Sequence, residues 1–198
     1  MSTELIEYNK SLIRVKTERD LPPHITFEEF KRIYYDLSGR DQLLCGLLWE
    51  TGGRISDVLN LKWKDIDLDA KIIRLFVDKR DITITIPFQE ALKSDLRNWM
   101  IAVKPPKDGW LFPSKPRDGR ITRQAVDRKI KKWGAKLGKS LHAHMWRHGI
   151  AIHLLANGVN IKVISARLGH ANVFTTMNYY LVVTPELQRD LTKHVPMR

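Results

Sequence analysis

The sequence has only one cysteine, Cys45, so no disulfide can form within one chain. Cys45 lies in the apolar run LLCGLLW, which favours a buried thiol. The opening residues MSTELIEYNK do not contain the apolar segment of a signal peptide, and no apolar run is long enough to cross a bilayer. We therefore expect a protein of the reducing cytoplasm with no membrane partner.

Signatures of metal and nucleotide sites are equally scarce. The sequence contains neither a glycine-rich phosphate loop nor a dinucleotide fingerprint. Asp65, Asp67 and Asp69 alternate as at the start of a calcium loop, but the sixth position is Ala70 and the twelfth is Phe76. The stretch HAHMWRH has no Cys or carboxylate pattern beside it to complete a zinc site. We therefore expect no metal and no cofactor.

Positive charge, by contrast, is abundant. Lysine and arginine number 34 against 22 acidic residues, which gives a net charge of +12. Such an excess favours a polyanionic partner, first of all nucleic acid, although a merely cationic soluble protein has the same balance. The basic residues cluster in segments 113–124 and 129–139, where phosphate contacts would give salt-sensitive affinity.

Helical patterns cover most of the chain. A capping box formed by Thr26 and Glu29 predicts a helix start, and Gly52 and Gly53 end a second, apolar helix over residues 41–50. Further helices are predicted over residues 56–61, 88–103 and 184–193, and in pieces from residue 122 onward with breaks at Gly138, Asn157–Gly158 and Gly169.

Two adjacent segments have the pattern of strands. KIIRLFV (71–77) is rich in β-branched residues, and ITITIP (82–87) alternates strictly, so the DKRD between them predicts a hairpin with a loop. The expected fold class is α+β, a mostly helical domain with a small antiparallel β-sheet. We expect an N-terminal arm or linker over residues 1–21 and one domain over residues 22–198.

Cleavage of a phosphodiester without a metal needs guanidinium groups to hold the phosphate oxygens, hydrogen-bond donors, a proton donor for the leaving oxygen and a nucleophile. The sequence offers each of these groups. They are Arg54 after two glycines, Lys79 in the hairpin, His144 and Arg147 on one helical face, His170 after a glycine turn, and Tyr179 with Tyr180.

Three motifs in this order resemble the catalytic domain of the tyrosine recombinase (phage integrase) family. TGGRISDVLNLKWKDIDL is similar to its first arginine box, HMWRHGIA to its His-x-x-Arg-His box, and LGHANVFTTMNYY to its Leu-Gly-His…Tyr ending. The resemblance runs from about residue 21 to residue 184. It implies a site-specific DNA recombinase that works through a covalent 3′-phosphotyrosine intermediate without metal or ATP.

The resemblance also implies residue roles at the phosphate. Arg54 and Arg147 would clamp the scissile phosphate, and His144 and His170 would hydrogen-bond its oxygens. His144 is also a candidate proton acceptor. Asp57 is expected to support the active site, although an ordinary surface ion pair between Arg54 and Asp57 has the same sequence spacing.

The nucleophile and the acid follow from the family's spacing. Tyr179 stands nine residues after His170, as the family's nucleophile does, whereas Tyr180 is expected to pack or to contact the backbone. Lys79 lies eight residues before Pro87, the spacing of the family's hairpin lysine, and would protonate the leaving 5′-oxygen. A merely solvated basic turn at Lys79 is the alternative. His148 is expected to be a structural hydrogen-bonding residue beside the catalytic set.

DNA is the expected partner. The start of the helix after residue 122 is predicted to contact it, either as a major-groove reader or, alternatively, as an ordinary solvated helix face. The residues concerned are Arg123, Gln124, Arg128, Lys131 and Lys132. The resemblance implies a tetramer on double-stranded DNA, joined through the helix at residues 184–193, and a monomer or weak oligomer when the protein is free. It also implies a cytoplasmic, nucleoid-associated location.

Alternative functions are relaxation of DNA like that of a type IB topoisomerase, and non-catalytic DNA-binding regulation on the same fold. Only about twenty residues precede the predicted domain. Many members of the family carry an N-terminal core-binding domain there, so a natural single-domain protein and an excised catalytic domain both remain open.

Overall fold

The structure is a computed structural model that describes residues 21–114 and 119–180. Its helices are α1 (Phe27–Asp36), α2 (Gly39–Thr51), α3 (Ile55–Leu59), α4 (Glu90–Val103), α5 (Arg123–Lys136), α6 (His144–Ala156), α7 (Ile161–Arg167) and α8 (Val173–Tyr180). The strands are β1 (Ile66–Asp67), β2 (Ile72–Val77) and β3 (Ile82–Pro87), with 3₁₀ turns at Trp63–Asp65 and Asp78–Arg80.

Local signals set the first two helices. The Thr26 side chain accepts from the Glu29 N–H at 3.2 Å and the Glu29 carboxylate accepts from the Thr26 N–H at 3.0 Å, so the predicted capping box is confirmed. Helix α2 starts two residues before the predicted range, and Gly52 ends it in the left-handed conformation at φ 60°.

Helix α2 is the centre of the core. Leu43, Leu44, Leu47 and Leu48 are at most 1% exposed, and Cys45 is fully buried as predicted. The helix is enclosed because α1, α4 and α6 all pack against it. Burial raises the pKa of the Cys45 thiol to about 12, so this cysteine is a packing residue that remains protonated.

The sheet is antiparallel with strand order β1-β2-β3, and Val77 pairs with Ile82 across the hairpin. The inward side chains of β2 are Ile73, Leu75 and Val77. The sequence predicts β2 and β3 but not the two-residue strand β1. The loop residue Asp81 adopts φ 51°, so an aspartate takes the left-handed position that glycine usually fills in such turns.

The described residues confirm the predicted fold class, a mostly helical α+β domain with a small antiparallel sheet. The breaks predicted at Gly138, Gly158 and Gly169 are confirmed, since all three have positive φ. The predicted helix over residues 184–193 and the arm before residue 21 lie outside the described residues.

Gly149, within α6, offers a test of this packing. A Cβ atom at this position would lie 2.3 Å from the backbone oxygen of Ile25. We expect Gly149→Ala to lower the free energy of unfolding by about 1–3 kcal/mol in urea titration. Gly138→Ala, where a Cβ meets open space but φ is +67°, is the control and should cost only about 1 kcal/mol. Equal losses in both variants would contradict the close contact.

Candidate active site

Arg147 joins two loops that are distant in sequence. The residue is 4% exposed, and its guanidinium donates through Nη1 to the Gly52 oxygen at 2.8 Å and through Nη2 to the Leu168 oxygen at 2.7 Å. We call residues 52–54 the arginine loop and residues 168–170 the histidine loop. Arg147 therefore brings the predicted site residues Arg54 and His170 to the same end of α6.

Arg54 is the residue before α3, and its side chain is 25% exposed. Its Nη1 lies 3.7 Å from Oδ2 of Asp57, which is 3% exposed. Within the described ranges, neither of these two buried atoms has a hydrogen-bond partner. Burial raises the pKa of Asp57, while the charges of Arg54 and Arg147 lower it. Two guanidinium groups and one carboxylate give this group of side chains a net positive charge, which would attract an anion.

Two glycines precede Arg54, and the junction that they form is tightly held. The Thr51 hydroxyl donates to the Leu47 oxygen at 2.6 Å and accepts from the Gly53 N–H at 3.0 Å. A Cβ atom on Gly53 would lie 2.9 Å from Leu75. Gly53 thus permits close packing on β2, and the hydrogen bonds of Thr51 hold the arginine loop in place.

His170 is oriented by a contact that the sequence analysis does not include. Its Nδ1 lies 2.7 Å from the hydroxyl of Thr176, a residue 1% exposed on α8. Burial and the charges of Arg147 and Arg54 lower the pKa of His170 to about 4, so its ring is neutral at pH 7. In the tautomer in which Nδ1 accepts from Thr176, Nε2 carries the proton and can donate to an anion.

His144 and His148 are one turn apart on α6, with ring centroids 5.8 Å apart. The pKa of His144 is lowered by partial burial and by Arg147, and that of His148 falls to about 4 through burial, His144 and Arg147. His144 is exposed, whereas His148 is half-buried. The ring of His144 is thus the more accessible of the two, and the supporting role of His148 stays a prediction.

These histidines give the stability of the protein a pH dependence. Unfolded histidines titrate near pH 6.5, whereas folded His148 and His170 titrate near 4. The unfolded chain binds more protons between these values, so the free energy of unfolding should fall as the pH falls from about 6.5 to 4. Urea midpoints at pH 7.5 and 5.0 should show a larger loss in the wild type than in a His148→Gln/His170→Gln variant. Identical losses would contradict this account.

Lys79 and Tyr179 lie on elements next to this cluster. Lys79 is exposed in the 3₁₀ turn between β2 and β3, and the histidine loop packs on that hairpin, since a Cβ on Gly169 would lie 2.7 Å from Ile84. The charge of the neighbouring Arg80 also lowers the pKa of His170. Tyr179 is in α8, three residues after the Thr176 that contacts His170. The roles assigned to these residues stay predictions.

Some basic residues of α5 and of the segment after it pair with acidic residues of other helices, and others are exposed. Lys129 lies 2.7 Å from Asp41, Lys136 pairs with Asp36, and Lys139 just beyond the helix pairs with Glu29. These three lysines of segment 129–139 therefore hold α5 against the first two helices. The predicted DNA-contacting residues are all exposed: Arg123, Gln124, Arg128, Lys131 and Lys132.

The start of α5 is next to the candidate site. Helix α3 packs against α5, and the charge of Arg123 contributes to the lowered pKa of His144. Arg123 also lies 3.6 Å from Asp127, an exposed pair of small energetic value. The start of α5 therefore lies close enough to the arginine–histidine cluster for the charge of Arg123 to act on His144.

In the described part of the chain, no group of three or more His, Cys, Asp and Glu side chains is arranged to hold a metal ion. Among the same residues, no helix combines the length and the apolar character needed to span a membrane.

The described residues form a mostly helical α+β domain in which two arginines and the histidines His144, His148 and His170 gather at one end of α6. The model of the phage integrase family matches residues 23–186. The chain belongs to the phage integrase family. Tyrosine recombinase XerA of Pyrococcus horikoshii is 32% identical over 183 residues, which are 90% of this chain and 63% of that protein. The chain therefore spans less than two thirds of the length of this relative.

Solved structures agree with the sequence comparison. A crystal structure of XerA recombinase, 29% identical, superposes with a TM-score of 0.74 over 90% of this chain and 67% of that one. XerH site-specific recombinase bound to its difH substrate, 22% identical, gives a TM-score of 0.75 over 92% of this chain and 56% of that one. The second likeness concerns the fold alone.

Proposed function

We propose that this chain carries the catalytic domain of a site-specific DNA recombinase, which cleaves and rejoins strands through a 3′-phosphotyrosine. The observation that supports it most is the convergence of Arg54, Arg147, His144 and His170 at one end of α6, beside the helix that carries Tyr179. Family membership and the recombinase relatives point to the same activity.

In the proposed cleavage step the Tyr179 oxygen attacks phosphorus and the bond from phosphorus to the 5′-oxygen breaks. Neutral His144 accepts the tyrosine proton, and Lys79 gives a proton to the departing 5′-oxygen. Arg54 and Arg147 bind the non-bridging oxygens, where negative charge gathers. His170 donates to the same oxygens through Nε2.

Rejoining is the reverse reaction with another strand. A 5′-hydroxyl attacks the phosphotyrosine, and the tyrosine leaves. One phosphoester bond replaces another in each step, so neither step needs an ATP to drive it. This balance distinguishes strand transfer from hydrolysis, in which water would consume the ester.

The partner proposed is double-stranded DNA, which lies across the arginine–histidine cluster and along the exposed face of α5. XerH, a protein of the same fold, was solved bound to its difH substrate. We propose that four protomers assemble on two duplexes through residues 184–193, and that the protein acts in the cytoplasm at the nucleoid. The proposed domain comprises residues 22–198, preceded by an arm or linker.

Strand exchange between two sites on one plasmid tests the proposal. Candidate sites from the genomic neighbourhood would be incubated with the protein in EDTA, with Tyr179→Phe as control. Deletion or inversion products from the wild type alone are expected. Relaxed plasmid without exchange would favour the topoisomerase alternative, and DNA retention in a gel without any cleavage would favour a regulator.

A further inference from the structure

Arg167, the last residue of α7, makes an unusual double contact. Its Nε donates to the backbone oxygen of Glu50 at 3.0 Å, and its Nη2 donates to the same oxygen. Glu50 lies in the last turn of α2, where carbonyl groups have no partner within the helix. A half-buried arginine of α7 thus caps the C-terminal end of α2, although 117 residues separate the two in sequence.

This contact runs beside the one made by Arg147. Arg147 joins the arginine loop to the histidine loop, and Arg167, which directly precedes the histidine loop, contacts Glu50, two residues before the arginine loop. The two loops are therefore held together at two successive points. With Arg147 alone, the loops could rotate about one guanidinium, whereas a second contact fixes their relative orientation.

The Glu50 end of this contact is itself anchored. Its carboxylate accepts from the backbone N–H of Gln89 at 2.9 Å, directly before α4. Burial raises the pKa of Glu50, while the Gln89 hydrogen bond and the charge of Arg167 lower it. The contact thus ties α7 to both α2 and α4, which are central elements of the core.

We propose that Arg167 is a positioning residue. It sets the separation of Arg54 and His170 and thereby how well these two residues bind the scissile phosphate. The inference rests on the proposed function for its catalytic consequence. Arg167 acts through the two loops, since its donors are directed to the Glu50 oxygen. Its loss should misplace the phosphate-binding groups while DNA affinity, which comes from many phosphate contacts, is retained.

The first test measures two quantities for each variant: the rate of covalent cleavage at saturating protein, and the dissociation constant for DNA. Arg167→Ala should cleave about 10- to 100-fold more slowly with a dissociation constant within about twofold of the wild type. Arg167→Lys keeps one donor and should recover part of the rate. Arg40→Ala, which removes a half-buried arginine paired with Asp41 at the other end of α2, should cleave at the wild-type rate.

A double-mutant cycle separates positioning from general destabilisation. If Arg167 acts through the histidine loop, Arg167→Ala should slow cleavage only about threefold or less in a His170→Ala background. An equal slowing in both backgrounds would overturn the proposal, as would a wild-type rate for Arg167→Ala or a parallel loss of DNA binding. If Arg167→Ala does not fold, Arg167→Lys replaces it in the same double-mutant cycle.

Hydrogen exchange gives a readout that needs no activity. In Arg167→Ala, amides of residues 50–57 and 165–172 should exchange faster, while α4 and α5 remain as in the wild type. Uniform exchange changes, or none, would overturn the positioning role. A wild-type protein that forms no adduct would refute the proposed function, and the exchange result would still decide the role of Arg167.

Discussion

Replacing Arg147 by lysine should both stop cleavage and weaken the fold. A lysine cannot reach the Gly52 and Leu168 oxygens and a phosphate together, because it lacks the planar fork of donors. We expect the cleavage rate to fall by at least about 100-fold, the usual cost of losing an oxyanion donor. One buried carbonyl left without its donor should lower the free energy of unfolding by about 1–3 kcal/mol.

Single-turnover cleavage and urea unfolding would measure the two effects. Arg40→Lys is the matched control, because Arg40 is an arginine whose only described ion pair is 3.6 Å long and near the surface. It should leave both quantities unchanged. An Arg147→Lys protein that cleaves within about threefold of the wild type would refute the assignment of Arg147 to the phosphate.

Replacing Tyr179 by phenylalanine should abolish the covalent protein–DNA adduct, since phenylalanine has no hydroxyl to attack phosphorus. Tyr180→Phe should retain the adduct. The family's spacing of nine residues from His170 selects Tyr179 and not its neighbour Tyr180. Denaturing gels of metal-free reactions on nicked duplexes measure both variants.

The pair of variants controls for folding, because each removes one hydroxyl from neighbouring positions of the same helix. Both should retain wild-type DNA affinity. Loss of the adduct in Tyr180→Phe alone would show that the spacing from His170 selects the wrong tyrosine. Retention in both would place the nucleophile elsewhere in the chain.

Local sequence signals predicted much of the fold. The capping box at Thr26, the strict alternation of β3 and the glycines at helix ends each act within a few residues, so their effects can be read from sequence. The three motifs also indicated which residues would lie together, and Arg54, Arg147, His144 and His170 are brought to one end of α6.

Contacts between distant segments could not be predicted in the same way. Arg147 and Gly52 are 95 residues apart, and Arg167 and Glu50 are 117 apart, so no periodicity relates them. The sequence also does not show why two glycines precede Arg54: a Cβ on Gly52 would approach Leu168, and a Cβ on Gly53 would approach Leu75. Likewise, three lysines that the net charge alone would suggest for DNA binding form ion pairs with acidic residues of α1 and α2.

The most direct test of the account is to map the covalent bond in the wild-type protein. The metal-free adduct would be digested with protease and nuclease, and the modified peptide sequenced by mass spectrometry. The account predicts one site, Tyr179, joined to the 3′-phosphate of the cleaved strand with a free 5′-hydroxyl on the other fragment. A bond at any other residue, or to the 5′-phosphate, would contradict it.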